Sequence, residues 1–278
     1  ATDPYTQCGA VKVICLSRLG DFLLHHLSNR YVGQMGISLD ELRVQVNALL
    51  RCGSDTSLQT ELLTTVTRLE TTEWDKWYYD RPRQDVLQEI PAEARRVLSV
   101  GCGAGNTEAA LIARGQEVIG IPLDRVVAES ARIRGVRLTS PDLAAAFHHL
   151  QGERFDAALL VHVLQYVPDP RRLLRDCAEH LAEKGKIVLV VPNFRFLGYR
   201  RNGRRDPRLW TARNPFLEAG LHRTTAALVD RWVTDSSALR VTRVRYNETS
   251  RWRPLIRRAN GLAGPLLARD VLLVAERA

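Results

Sequence analysis

Apolar positions along this chain come in two rhythms, and the two alternate. Val97, Leu98 and Val100 make a short apolar run, the mark of a buried strand. Comparable runs stand at Glu117–Ile121, Gly135–Leu138, Phe155–Val161 and Lys186–Val191. The run Phe155–Val161 is almost continuously apolar, which predicts burial on both faces. Helical spacing fills the gaps. One helix follows Gly105, capped by Asn106 or Thr107 and running to about Arg114. A second opens at Leu123-Asp124 and runs to about Ile133. A third covers Pro170–Ala182 with Leu173, Leu174, Cys177 and Leu181 inward. Strand and helix in short alternation predict an α/β fold on a parallel sheet. Beyond it, Thr224 or Thr225 caps a helix to Val233, Leu239–Tyr246 alternates apolar and basic residues, and Asp270–Ala275 is a last buried strand.

Three stretches break this rhythm. Residues 1–73 carry helical spacing only, with Leu16, Leu19, Leu23, Leu24 and Leu27 on one stripe and two capping boxes, Ser38–Glu41 and Thr56–Gln59. They read as a helical N-terminal module for capping or docking onto another domain or protein. In residues 74–95, Trp74, Trp77, Tyr78 and Tyr79 cluster just ahead of the first strand. A linker packed on the sheet and a lid over a ligand are equal readings. In residues 194–222, arginines interleave with Phe194, Phe196, Tyr199 and Trp210. A mobile substrate loop, a strip for nucleic acid and a solvated loop with an aromatic anchor all remain open there.

Charge sharpens that picture. Of the net +9, residues 1–90 contribute −3, residues 91–192 contribute +1 and residues 193–278 contribute +11. The basic C-terminal third allows an acidic partner. The five cysteines are scattered, with no C-x-x-C pair. That argues against a disulfide framework and a zinc site, and fits a reducing, cytoplasmic setting. No run of 18 apolar residues exists, so no transmembrane segment is expected.

The chemistry lies in Val97-Leu-Ser-Val-Gly-Cys-Gly-Ala-Gly105. Glycines between a strand and a helix let the backbone turn with positive φ and admit a ligand closely. The helix start then offers N–H groups to it. This predicts a nucleotide-type pocket. Cys102 within the turn reads as a small residue that fits, since nothing in the sequence activates its thiol.

This turn, with Tyr78-Tyr-Asp-Arg-Pro-Arg before it and Val163-Leu-Gln-Tyr-Val-Pro-Asp-Pro after it, resembles the class I S-adenosylmethionine-dependent methyltransferases. The likeness is to a bacterial group often found beside, or fused to, glycosyltransferases. It covers residues 74–278 and implies a Rossmann-like sheet of seven strands, six parallel and one reversed. It also implies S-adenosyl-L-methionine as cofactor and methyl transfer to O or N of a small-molecule or glycan-type acceptor. By position, Gly101, Cys102, Gly103 and Gly105 would hold the methionine end, with Ser99 beneath. Leu123 and Asp124 would meet the ribose, and Asp142 and Leu143 would flank the adenine. Val161 would face the sulfonium, and Tyr78 would close over the cofactor. His162, with Tyr166 second, is the candidate base.

Two positions depart from that family. It usually has an acidic residue where Ser99 stands and another, for the ribose hydroxyls, where Pro122 stands. Proline has neither side-chain acceptor nor N–H. These departures motivate one alternative, a degenerate domain that serves assembly or regulation without catalysis. The basic C-terminal third motivates another, a nucleic-acid methyltransferase. Against that second reading, no Asn/Asp-Pro-Pro-aromatic motif follows the fourth strand and no Pro-Cys nucleophile is present.

Overall fold

Every apolar run singled out above becomes a strand. A computed structural model of the chain describes residues 81–125, 127–202, 207–236, 239–247 and 264–277, with 41, 43–45, 47 and 48. The expected helices over residues 16–33 and 56–69, the aromatic cluster Trp74–Tyr79 and the boundary between 73 and 74 lie outside the described residues. The strands are β1 (Arg96–Val100), β2 (Glu117–Ile121), β3 (Arg137–Leu138), β4 (Phe155–Val161), β5 (Leu181–Pro192), β6 (Leu239–Asn247) and β7 (Asp270–Arg277). They form one seven-stranded sheet in the order β3-β2-β1-β4-β5-β7-β6. β3 runs parallel to β2 and β5 parallel to β4, while β7 pairs antiparallel with both β5 and β6. The expected sheet with one reversed strand is therefore present, and β7 is the reversed strand. No helix among the described residues is long and apolar enough to cross a membrane.

Two compact units make up the chain. One contains Leu98–Leu150 together with α1 (Gln84–Leu87) and the helical residues at 41–48; the other contains Glu89–Val97 and Gln151–Ala278. In the first unit, α2 (Asn106–Ile112) connects β1 to β2, α3 (Ala128–Ile133) connects β2 to β3, and α4 (Leu143–His149) follows β3. Gly105 itself caps α2, in the left-handed conformation and without a side-chain bond, where Asn106 or Thr107 was expected. The glycine takes the cap because the turn already needs positive φ there. Asp124 opens the turn into α3, its Oδ1 accepting the Val127 N–H at 3.0 Å.

In the second unit, α5 covers Pro170–Glu179, shorter than the helix expected to Ala182. His180 ends it, donating from Nδ1 to the Asp176 carbonyl at 2.8 Å. The His180 carbonyl then accepts the Phe155 N–H at 2.9 Å. The chain turns early because Leu181 pairs with Phe155, so Leu181 is buried from a strand and not from the helix. Residues 194–222, read as a loop, hold three short helices: α6 (Leu197–Asn202), α7 (Pro207–Thr211) and α8 (Pro215–Ala219). Prolines at first helical positions explain two of these starts, and the Asn214 side chain caps α8. Thr225 caps α9 (Ala226–Asp235) as expected, and α10 is Gly264–Leu267.

Candidate functional site

In the first unit the site is the glycine turn. Gly101, Gly103 and Gly105 have φ of 75°, 51° and 80°, a conformation that costs side-chain-bearing residues dearly. The Gly101 N–H donates to the Ile121 carbonyl at 2.8 Å, tying the turn to the end of β2. From outside, Arg134 donates to the Ala104 carbonyl at 2.7 Å and pairs with the buried carboxylate of Glu41. Beside it, Gln45 Nε2 donates to Ser130 Oγ at 2.7 Å. So the helical residues Glu41 and Gln45 meet Arg134 and Ser130, at and on α3, through polar groups. Apolar periodicity carries no trace of such a polar contact.

Beneath the turn lies a buried polar pair. Ser99 Oγ donates to Glu108 Oε1 at 2.6 Å, and both residues are buried. Burial pushes the Glu108 carboxyl above its ordinary value, against the Ser99 hydroxyl bond and a backbone bond that pull it down. Burial, with the nearby Glu108 charge, pushes the Cys102 thiol well up. Cys102 is therefore a protonated packing residue and not a nucleophile.

The expected ribose and adenine residues belong to the same unit. Pro122 offers no acceptor. Asp124 is buried with one carboxylate oxygen on the Val127 N–H, which commits that oxygen to the local turn. Leu123 and Leu143 are half-buried and Asp142 is exposed. Asp142 caps α4, its Oδ1 accepting the Ala145 N–H at 2.7 Å. Its second oxygen projects from an exposed side chain, where an amine can meet it. The three-glycine turn, a buried carboxylate beneath it and an exposed aspartate beyond β3 suit an adenosyl amino acid. The ribose position is the part that departs.

The second unit holds the candidate base. His162 follows β4 with φ of 55°, the one non-glycine residue with positive φ among those described. Its N–H donates to the Val190 carbonyl at 2.8 Å. Such a conformation is held by its surroundings and clusters at functional sites. The reversed strand brings Asp270 beside the ring, Nε2 to Oδ2 at 3.7 Å. Asp270 holds that place because it pairs with Pro192 at the end of β5. Asn193 secures the junction. It is fully buried, donates from Nδ2 to the carbonyls of Pro265 and Ala268, both at 2.8 Å, and donates its N–H to Arg269. Sequence reading missed Asp270 because 108 positions separate it from His162 and only the antiparallel return unites them. Val161 and Tyr166 are half-buried, Tyr166 closing a 3₁₀ turn over Leu164–Tyr166.

The aromatics of 194–222 pack on one another, two of them buried and the others half-buried. Phe194 and Tyr199 are buried, and Phe194 packs on Tyr199 and Trp210 at 5.8 and 5.9 Å. They anchor the segment and offer little face for base stacking. His222 stacks on Phe216 at 4.5 Å and donates from Nε2 to the Val167 carbonyl at 3.0 Å. Burial lowers its pKa below 6.5, the carbonyl bond pulls it back, and the Arg171 charge lowers it further. The unfolded chain thus takes up this proton at a higher pH than the folded one. The stability involved is complete above about pH 6.5 and is lost as pH falls through the lowered folded value. Urea midpoints measured at about pH 7.5 and 5.5 are expected to differ more in the wild type than in His222→Gln.

The buried Gln165 side chain adds one further feature. Its Oε1 and Nε2 have no hydrogen-bond partner among the described residues, a state that native proteins rarely leave unexplained.

Comparison with known proteins agrees with this fold. Residues 73–235 match the family described as methyltransferase domain. A ubiquinone biosynthesis O-methyltransferase of Cereibacter sphaeroides is 34% identical over 119 residues, 40% of this chain and 46% of that protein. The protein of the same name from Alkalilimnicola ehrlichii is 29% identical over 109 residues, 36% of this chain and 43% of that protein. The matched segment spans about half the length of these curated relatives. Among solved structures, a SAM dependent methyltransferase from Archaeoglobus fulgidus superposes with a TM-score of 0.52 at 16% identity, covering 69% of this chain and 90% of that one. An S-adenosylmethionine dependent methyltransferase from Mesorhizobium loti gives 0.52 at 19% identity, covering 70% and 96%.

Proposed function

The chain belongs to the methyltransferase domain family, and from that premise we propose that it transfers a methyl group from S-adenosylmethionine to a hydroxyl oxygen of a small-molecule or glycan-type acceptor. The observation that carries the choice of oxygen is the His162–Asp270 pair. An amine attacks with its own lone pair, whereas a hydroxyl must lose a proton as it attacks. A base built into a strained position, with a carboxylate beside it, is what a hydroxyl acceptor requires. The relatives named as O-methyltransferases fit that reading.

S-adenosylmethionine, when bound, supplies an electrophilic methyl group on a sulfonium. Gly101–Gly105 would hold its methionine end, Leu123 and Asp124 its ribose side, and Asp142 with Leu143 its adenine. Val161 and His162 take the acceptor side. The His162 imidazole takes the acceptor's proton, and Asp270 stabilises the imidazolium that results. Gln165, whose amide is otherwise unmatched, would gain a partner if the acceptor or a water reaches it. The N-terminal residues 1–73 serve docking in this reading. A cytoplasmic setting suits the buried free thiols of Cys102 and Cys177.

The test is methyl transfer from labelled S-adenosylmethionine to fractionated small hydroxylated compounds and glycans. Label in an ether product is the expected result; label only in amine products overturns the choice of oxygen. Pro122 keeps a second reading in play, a degenerate domain without catalysis. Calorimetry separates them: micromolar cofactor binding supports the enzyme, and absent binding by folded protein supports the degenerate domain.

A further inference from the structure

Burying a carboxylate with only neutral donors is costly, because the lost hydration is not replaced by an opposite charge. Glu108 is in that state. It is 5% exposed and accepts from the Ser99 hydroxyl at 2.6 Å, with no ion pair to a cation among the described residues. Two other buried acids of the described residues are paired with cations: Glu41 with Arg134, and Glu89 with Arg243 and Arg245. Glu108 also occupies a particular place. Ser99 stands two residues before Gly101 and Glu108 three residues after Gly105, so their bond closes the base of that turn.

We propose that Glu108 is the carboxylate that receives the α-ammonium group of the bound amino-acid cofactor, with Ser99 as the residue that positions it. Glu108 stands nine residues along the chain from Ser99, in the first turn of the helix, and the hydroxyl at 99 orients its carboxylate. The inference rests on the proposed S-adenosylmethionine site and adds the group that discriminates for its amine. The ammonium would complete the unbalanced charge, and a neutral ligand would leave it unbalanced. The buried acid thereby becomes a selector for zwitterionic ligands over plain nucleosides.

Three proteins and two ligands test this by calorimetry. The proteins are the wild type, Glu108→Gln, and the exchange Ser99→Asp with Glu108→Ser. The ligands are S-adenosylmethionine and 5′-methylthioadenosine, a thioether nucleoside without the amino acid. Gln keeps the volume and can accept from Ser99, so the fold should persist; the exchange variant provides a second route if it does not. Expected are a roughly 10- to 150-fold loss of S-adenosylmethionine affinity in Glu108→Gln, little change for 5′-methylthioadenosine, and recovery in the exchange variant. Equal weakening of both ligands, or no weakening of either, overturns the inference while the cofactor reading stands. Absence of S-adenosylmethionine binding by the wild type overturns both.

Discussion

With asparagine in place of His162, kcat for a hydroxyl acceptor is expected to fall by about 10²- to 10⁴-fold, the usual worth of a positioned general base. Asparagine is the informative replacement because the backbone at 162 has φ of 55°. Asparagine and histidine both tolerate that region better than most residues, so the variant removes the imidazole with little added strain. The acid limb of kcat/KM, where a protonated ring cannot accept the acceptor's proton, should disappear with it. Asp270→Asn is expected to do less. The carboxylate stands 3.7 Å from the ring, too far for a direct hydrogen bond, and acts through charge. A loss of about 1.4 kcal/mol of imidazolium stabilisation corresponds to roughly tenfold in rate. Steady-state rates across pH for both variants check the pair. A His162→Asn enzyme within threefold of wild type assigns the histidine to backbone geometry alone.

The way this pair is assembled explains what the sequence could and could not disclose. Runs such as Phe155–Val161 and Glu117–Ile121 became strands at the expected residues because local apolar composition decides burial in a covered sheet. The glycine turn was equally legible, since positive φ restricts the choice of residue. Pairing is not local. Lys186 was read as the start of β5, but the strand begins at Leu181 because Phe155 supplies a partner there. Asp270 reaches the edge beside His162 only through the antiparallel return of β7, and Asn193 fixes that return through carbonyls more than 70 residues away. Glu108 was hidden for another reason. A glutamate in the first turn of a helix is ordinary surface chemistry, and only its contact with Ser99 shows that it points inward. The brace from Glu41 through Arg134 to the Ala104 carbonyl is likewise invisible to a reading that follows apolar positions.

Alanine at Gly105 is expected to destabilise the chain by about 2–4 kcal/mol, a large share of the total for a typical domain. Two costs add. Gly105 has φ of 80°, and an L side chain in the left-handed region costs roughly 1–2 kcal/mol. A methyl group there would also stand 2.7 Å from Ala131 Cα and 2.8 Å from its Cβ. Since Ala131 is fully buried on α3, the helix itself must shift, and overpacking of this kind typically costs about 1–3 kcal/mol. A smaller entropy of the unfolded chain returns roughly 0.4–1 kcal/mol. Gly115→Ala separates the terms. Gly115 has φ of 88° with nothing within 4 Å of an added Cβ, so only backbone strain and the entropy gain apply, and the net loss should stay near about 1 kcal/mol. Urea denaturation of both variants, with unchanged m-values, measures the difference as the cost of pushing α3 away from the turn. Because α3 leads into Arg134, which holds the Ala104 carbonyl, the same displacement should weaken cofactor binding in Gly105→Ala and leave it intact in Gly115→Ala.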